Sequence, residues 1–187
     1  GQLADKFEKS ALIRLIKLGE IGIMALAAIA MWLDSIVMLI ALLFLMGAQS
    51  SLFGPVKYGI LPQLLDEDEL LGGNGLVEMG TFLAILLGTA LGGILIGIDS
   101  IGSMLVAAAV VTIAVLGYAS SLGVPRIPAV DPQMRINWNP FSETWRIMGY
   151  ARENRTVFLC ILGISWFWFV GAIYLTQLPN FTLFYLG

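Results

Sequence analysis

Five apolar segments dominate this sequence: Ala11–Leu33, Ile36–Phe53, Leu76–Ile98, Ile101–Leu122 and Val157–Leu178. Segments of roughly 18–23 residues cover about 27–35 Å as helices, which matches a hydrocarbon core of about 30 Å. They must be helices, because unpaired backbone groups are too costly in lipid and the segments lack the alternation of a barrel strand. The first is the least clean, since Arg14, Lys17 and Glu20 occupy its opening turns.

The basic residues decide how these helices thread. Asp34-Ser35 joins the first two spans and Asp99-Ser100 joins the third and fourth. The other side carries residues 1–10, 54–75 and 123–156. Lys6, Lys9, Arg14 and Lys17 lie at the first end, and Lys57 in the next long connection. Arg126, Arg135, Arg146, Arg152 and Arg155 belong to the last one. All ten fall on one side, and the positive-inside rule makes that side cytoplasmic. Five spans then start Gly1 in the cytoplasm and bring the tail Pro179–Gly187 out on the far side.

Composition agrees with a membrane solvent. Of 187 residues, 58% are hydrophobic and 12% charged, about half the charged fraction of a soluble domain. Cysteine occurs once, as Cys160 in an apolar run, and histidine is absent. Disulfide frameworks, cysteine-cluster metal sites and imidazole chemistry are thereby excluded within the chain. No catalytic residue, metal ligand or cofactor is expected. Nucleic acid is not an expected partner, because no basic stripe is present. A chain opening at Gly1 reads as a piece of something longer.

Local patterns refine the expectation of an all-α, multi-pass helical bundle. Gly88 and Gly92, and again Gly93 and Gly97, stand four apart, as close helix packing requires; the third span is expected inside the bundle. Asp66-Glu67-Asp68-Glu69 fits a capping box opening a short interfacial helix. Asn139-Pro140 starts a second helix signal, with Phe141, Trp145 and Met148 on one face and Arg146 and Arg152 available to headgroups. An amphipathic helix on the cytoplasmic surface follows, reached through a linker spaced by Pro125, Pro128 and Pro132.

Three stretches carry a family resemblance. Gly1-Gln2-Leu3-Ala4-Asp5-Lys6-Phe7-Glu8-Lys9 resembles the motif between the second and third helices of major facilitator transporters. Gly1, Asp5, Lys6 and Lys9 match, while Glu8 takes a position usually held by glycine. The resemblance implies that the five spans are helices 3–7 of a 12-helix fold. Residues 1–122 would belong to the N-terminal bundle, 123–156 to the central cytoplasmic linker, and 157–187 to the first helix of the C-terminal bundle. It also makes Asp5, Lys6 and Lys9 a charge latch favouring one of two bundle arrangements; plain cytoplasmic retention explains the lysines equally well. Gly54-Pro55-Val56-Lys57-Tyr58-Gly59-Ile60-Leu61-Pro62 and Gly72-Gly73-Asn74-Gly75-Leu76-Val77-Glu78-Met79 are similar to the bacterial lysophospholipid transporter family. The closest likeness is to versions fused to a glycerolipid acyltransferase and an acyl-acyl-carrier-protein synthetase. This implies a lysophospholipid substrate, flipped to the inner leaflet for reacylation.

Four polar residues are candidates for binding that substrate: Lys57, Tyr58, Asn74 and Glu78. Lys57 and Tyr58 have two readings, an interfacial anchor with the flanking prolines ending the helix, or a contact to lipid phosphate. Glu78 lies about one turn inside a span, where an acid needs a partner or a watery cavity, and Asn74 is expected to share its network. Glu20 is expected to pair with Lys17 or Arg14, and Gln49 and Gln177 to bond across helices. Trp166, Phe167, Trp168 and Phe169 form a packed or lipid-facing stripe. The expected partners are lysophospholipid, membrane lipids, the remaining helices of the same transporter and a fused or associated acyltransferase. The expected place is a bacterial inner membrane. Two alternatives stand: an exporter of drugs or small metabolites, and the membrane portion of an acyltransferase enzyme.

Overall fold

The apolar segments fold as continuous helices, as backbone groups facing lipid require. The computed structural model describes residues 2–137 and 139–182. Gly1, Trp138 and residues 183–187 lie outside the described residues, and with them the first motif glycine and the end of the tail. The helices are α1 (Gln2–Lys6), α2 (Lys9–Trp32), α3 (Ile36–Gly59), α4 (Leu61–Leu64), α5 (Leu70–Ile96), α6 (Gly102–Ser121), α7 (Pro140–Glu153) and α8 (Arg155–Phe181). No strand occurs among the described residues.

Four stretches are long and apolar enough to cross a membrane: Ile36–Leu64, Leu70–Ile96, Gly102–Ser121 and Arg155–Gln177. The fifth expected span folds as α2, whose 24 residues reach about 36 Å. It falls short of the other four in apolarity because Lys9, Arg14, Lys17 and Glu20 occupy its first half.

The second connection differs from the sequence reading. α3 does not stop at Phe53 but runs through Pro55 to Gly59. Proline removes the donor that would face the Ser51 carbonyl. Burial offsets that loss: Val56 and Ile60 pack with Ala4 and Ile13 in the buried apolar cluster. The next turn is intact, the Ile60 N–H meeting the Val56 carbonyl at 3.1 Å. Pro62 then sits in the first turn of α4, where a missing N–H costs nothing. Asp66–Glu69 is a turn rather than an interfacial helix, closed by the Glu69 N–H donating to the Asp66 carbonyl at 3.0 Å. Half of the expected capping box is present, the Glu69 carboxylate accepting from the Asp66 N–H at 3.2 Å. α5 starts at Leu70, six residues before the expected boundary, so Asn74 and Glu78 lie within its opening turns.

The two short links are built alike. Asp34 and Ser100 each adopt the left-handed conformation, with φ of 47° and 69°, which reverses the chain within a few residues. The Ser35 hydroxyl then caps α3 by accepting from the Met38 N–H at 3.4 Å.

Within residues 1–134, one of two compact units, the enclosed helix is α2, packed against both α3 and α6. Its run of Ala25, Ala27, Ala28 and Ala30 permits close approach, and Ala30 is fully buried. α5 packs on α6 and α4 and buries none of its side chains. The expected glycine seam is therefore uncovered: a Cβ added at Gly88, Gly92 or Gly93 would meet nothing within 4 Å. Small size alone marks where a neighbour can approach, not which one does. Gln49 does bond across helices, its Nε2 donating to the Ile16 carbonyl at 2.8 Å.

In the second unit, residues 135–187, two asparagines start the two helices. The Asn139 side chain accepts from the N–H groups of Phe141 and Ser142, both at 3.1 Å. The Asn154 side chain accepts from Thr156 and Val157 at 3.0 and 3.3 Å. Phe141 and Trp145 of α7 are exposed, as are Trp166, Phe167, Trp168 and Phe169 of α8, whose rings pack in neighbouring pairs.

Candidate functional site

α3 carries Lys57 and Tyr58 on its final turns, and α5 carries Glu78 and Thr81 three residues apart on one face. The short α4 and the acidic turn bring α5 back beside the end of α3. There the Tyr58 hydroxyl donates to the Glu78 carboxylate. The Lys57 ammonium donates to the Thr81 hydroxyl at 3.1 Å, and that hydroxyl donates onward to the Val77 carbonyl at 2.8 Å. Lys57 Nζ also lies 4.6 Å from the centre of the Tyr58 ring. A hydroxyl and a ring face hold the cation without neutralising it. The ion pairs among the described residues are Lys17–Glu20 and Arg146–Glu143, and Lys57 belongs to neither.

Three of the four residues singled out in the sequence thus meet. Asn74 does not join them: its Nδ2 donates to the Leu70 carbonyl, one turn back on its own helix, at 2.8 Å. Thr81 was missed, although it shares a helical face with Glu78 and its side chain is one a lysine can reach.

An open groove of about 600 Å³ runs alongside, a volume within the range of small-molecule sites. Its charged lining consists of Lys17 and Lys57, set among Ile13, Phe53, Ile60 and Val77. Lys17 is bonded to Glu20 at 2.7 Å, as the spacing suggested, and its ammonium lies 5.2 Å from the centre of the Phe53 ring. Gly117 of α6 lies beside it, and an added Cβ there would sit in ordinary contact, 3.6 Å from Lys17 Nζ. No group of three or more potential metal-ligating side chains occurs among the described residues.

The motif residues Asp5, Lys6 and Lys9 lie where α1 meets α2. The Asp5 carbonyl accepts from the Asp131 N–H at 2.9 Å, tying the linker to the start of the chain. Arg14 reinforces that tie by donating to the Val124 carbonyl at 3.1 Å. Lys9 is 2% exposed, and its Nζ has no hydrogen-bond partner among the described residues. Its stem passes Gly59, where a Cβ would lie 3.3 Å from Lys9 Cε. Glu8, standing where the motif usually has glycine, has a φ of −60°, so this position does not demand a glycine here.

Long helices whose apolar side chains remain outward, Trp32 at 83% and Val37 at 80% exposure, define a multi-pass membrane protein, since water would not tolerate such a surface. The Major Facilitator Superfamily model matches residues 1–187, and the chain belongs to that family. It is similar to the lysophospholipid transporter LplT of Serratia proteamaculans, with 33% identity over 132 residues, covering 68% of this chain and 32% of the relative. The LplT of Klebsiella pneumoniae is 34% identical over the same length, with the same coverage. The LplT of an Enterobacter species is 29% identical over 176 residues, 92% of this chain and 41% of the relative. The chain therefore spans about a third of the length of the first two. No solved structure matches it.

Proposed function

We propose that this chain is part of a secondary carrier that moves lysophospholipids to the inner leaflet of a bacterial inner membrane by alternating access. The observation that carries the reading is Lys57, a cation without a carboxylate partner beside an apolar groove. Such a site suits an amphiphile with one phosphate and one chain: the phosphate meets Lys57 and the chain lies along Ile60, Phe53 and Val77. The relatives named as lysophospholipid transporters support the same substrate class. Tyr58 and Glu78 hold the end of α3 against α5, and Glu78 lies within reach of a headgroup ammonium.

In this reading α2, α3, α5, α6 and α8 are helices 3–7 of the twelve, with the Gly1 end cytoplasmic and residues 123–156 as the linker between bundles. α2 crosses despite its charges, because they sit at its cytoplasmic end and pair or snorkel there. Asp5, Lys6 and Lys9 then form the latch, with the buried Lys9 ammonium awaiting a partner that one bundle arrangement supplies. Fusion to an acyltransferase would place reacylation next to delivery.

The test is lysophospholipid flipping by the full-length protein in proteoliposomes. Lys57→Gln is expected to lower transport about tenfold, the scale of one lost charge-assisted contact, with membrane insertion unchanged. Undiminished flipping would leave Lys57 as an interfacial anchor only. A wild-type protein that moves dyes but no lysolipid would be an exporter instead.

A further inference from the structure

The chain that leaves α6 folds back over the helix ends instead of running free. Val124 and Ile127 pack on the buried cluster of Ala4, Ile13, Val56 and Ile60. The Arg14 guanidinium donates to the Val124 carbonyl at 3.1 Å, and the Asp131 N–H donates to the Asp5 carbonyl at 2.9 Å. A turn closed by the Met134 N–H on the Asp131 carbonyl, at 3.2 Å, ends the segment, and the first compact unit ends there too. Pro125, Pro128 and Pro132 stiffen the segment, so ordering it against α1, α2 and α3 costs less entropy than ordering a common loop. Its first residues, Val124 and Pro125, also line the groove that holds Lys17 and Lys57.

We propose that residues 124–134 are a strap that closes one end of this groove and peels away when the ligand passes. Two hydrogen bonds and two apolar side chains fasten it, a hold weak enough for local opening while the helices beneath stay folded. From Met134 the chain runs on into the second unit, so movement of that unit pulls on the strap at its Asp131 end, away from the groove. Tension there reaches the Asp131–Asp5 bond first and the Arg14–Val124 bond last. The strap thereby ties access to the groove to a rearrangement of the two units. The inference requires that the groove take a ligand, whatever its identity.

The experiment is thiol labelling of the full-length protein in detergent, in a cysteine-free background. Val56→Cys, at a position 3% exposed beneath the strap, reports opening, and Leu42→Cys, at a position 5% exposed farther along α3, reports the body of the helix. Arg14→Met is expected to speed labelling at Val56→Cys about tenfold, the low end for losing a hydrogen bond to a charged group, and to leave Leu42→Cys unchanged. Ile127→Ser is expected to act in the same direction through lost burial. Unchanged labelling at Val56→Cys in either inserted variant overturns the proposal, and should one variant not insert, the other decides. Equal acceleration at Leu42→Cys also overturns it, since the whole bundle would then be loosened. In a second arm, Asp5→Cys and Asp131→Cys are joined by a short, cleavable bifunctional reagent in proteoliposomes. Lysolipid flipping is expected to fall to background on linking and to return on cleavage, whereas flipping at the unlinked rate by the linked protein overturns the proposal. A wild type that flips no lysolipid would sink the functional reading alone, and the labelling would still decide the strap.

Discussion

Asp34 and Ser100 hold φ angles of 47° and 69° at the two short links. For an L-residue the left-handed conformation costs about 1–2 kcal/mol, and aspartate softens that cost by local hydrogen bonding while serine does so less. Ser100→Gly is therefore expected to stabilise the protein by about 0.5–1 kcal/mol, after allowing for the freedom glycine gains in the unfolded chain. Thermal unfolding in detergent checks this; a lowered midpoint would mean that the Ser100 side chain holds the link by a contact of its own. At this same scale the sequence was most legible for charge. Lys57, Tyr58 and Glu78 stand out because polar groups near a lipid core are expensive, and they do meet. Asn74 stood out for the same reason and is satisfied within its own helix, since spacing alone does not tell which acceptor a side chain takes.

Among the elements, α3 departs furthest from its reading. Pro55 was expected to end it, and the helix carries on for another turn to Gly59. Local propensity lost to burial, because Val56 and Ile60 enter a cluster built from α1, α2 and the linker, contacts remote in sequence. Pro55→Ala supplies an N–H opposite the Ser51 carbonyl, and a proline inside a helix costs about 3 kcal/mol relative to alanine. The substitution is expected to raise the unfolding midpoint, read by thermal denaturation of the full-length protein. A fall would show that the proline ring itself fixes how the end of α3 reaches α5. The long apolar helices were readable, because apolar length suffices in lipid; the interfacial helix expected at Asp66–Glu69 was not, and it is a turn. Which helix is enclosed was not. Glycine spacing pointed to α5, whereas the alanines of α2 lie between α3 and α6.

For the whole molecule, the confinement of all ten basic residues to alternate connections sets the proposed threading. Thiols introduced as Asp34→Cys and Arg135→Cys, in a cysteine-free background, are expected to react with impermeant reagent from opposite compartments of the cell envelope. Reaction from one compartment would refute five crossings and remove the basis for the helix 3–7 assignment.

The bare strip on α5 bears on movement. Helices that mesh ridges into grooves must unlock to slide, and each step climbs over a side chain. Gly88, Gly92 and Gly93 present no such teeth, so a helix resting there meets a nearly frictionless rail. Shear along α5 would cost little beyond exchanging one set of backbone contacts for another.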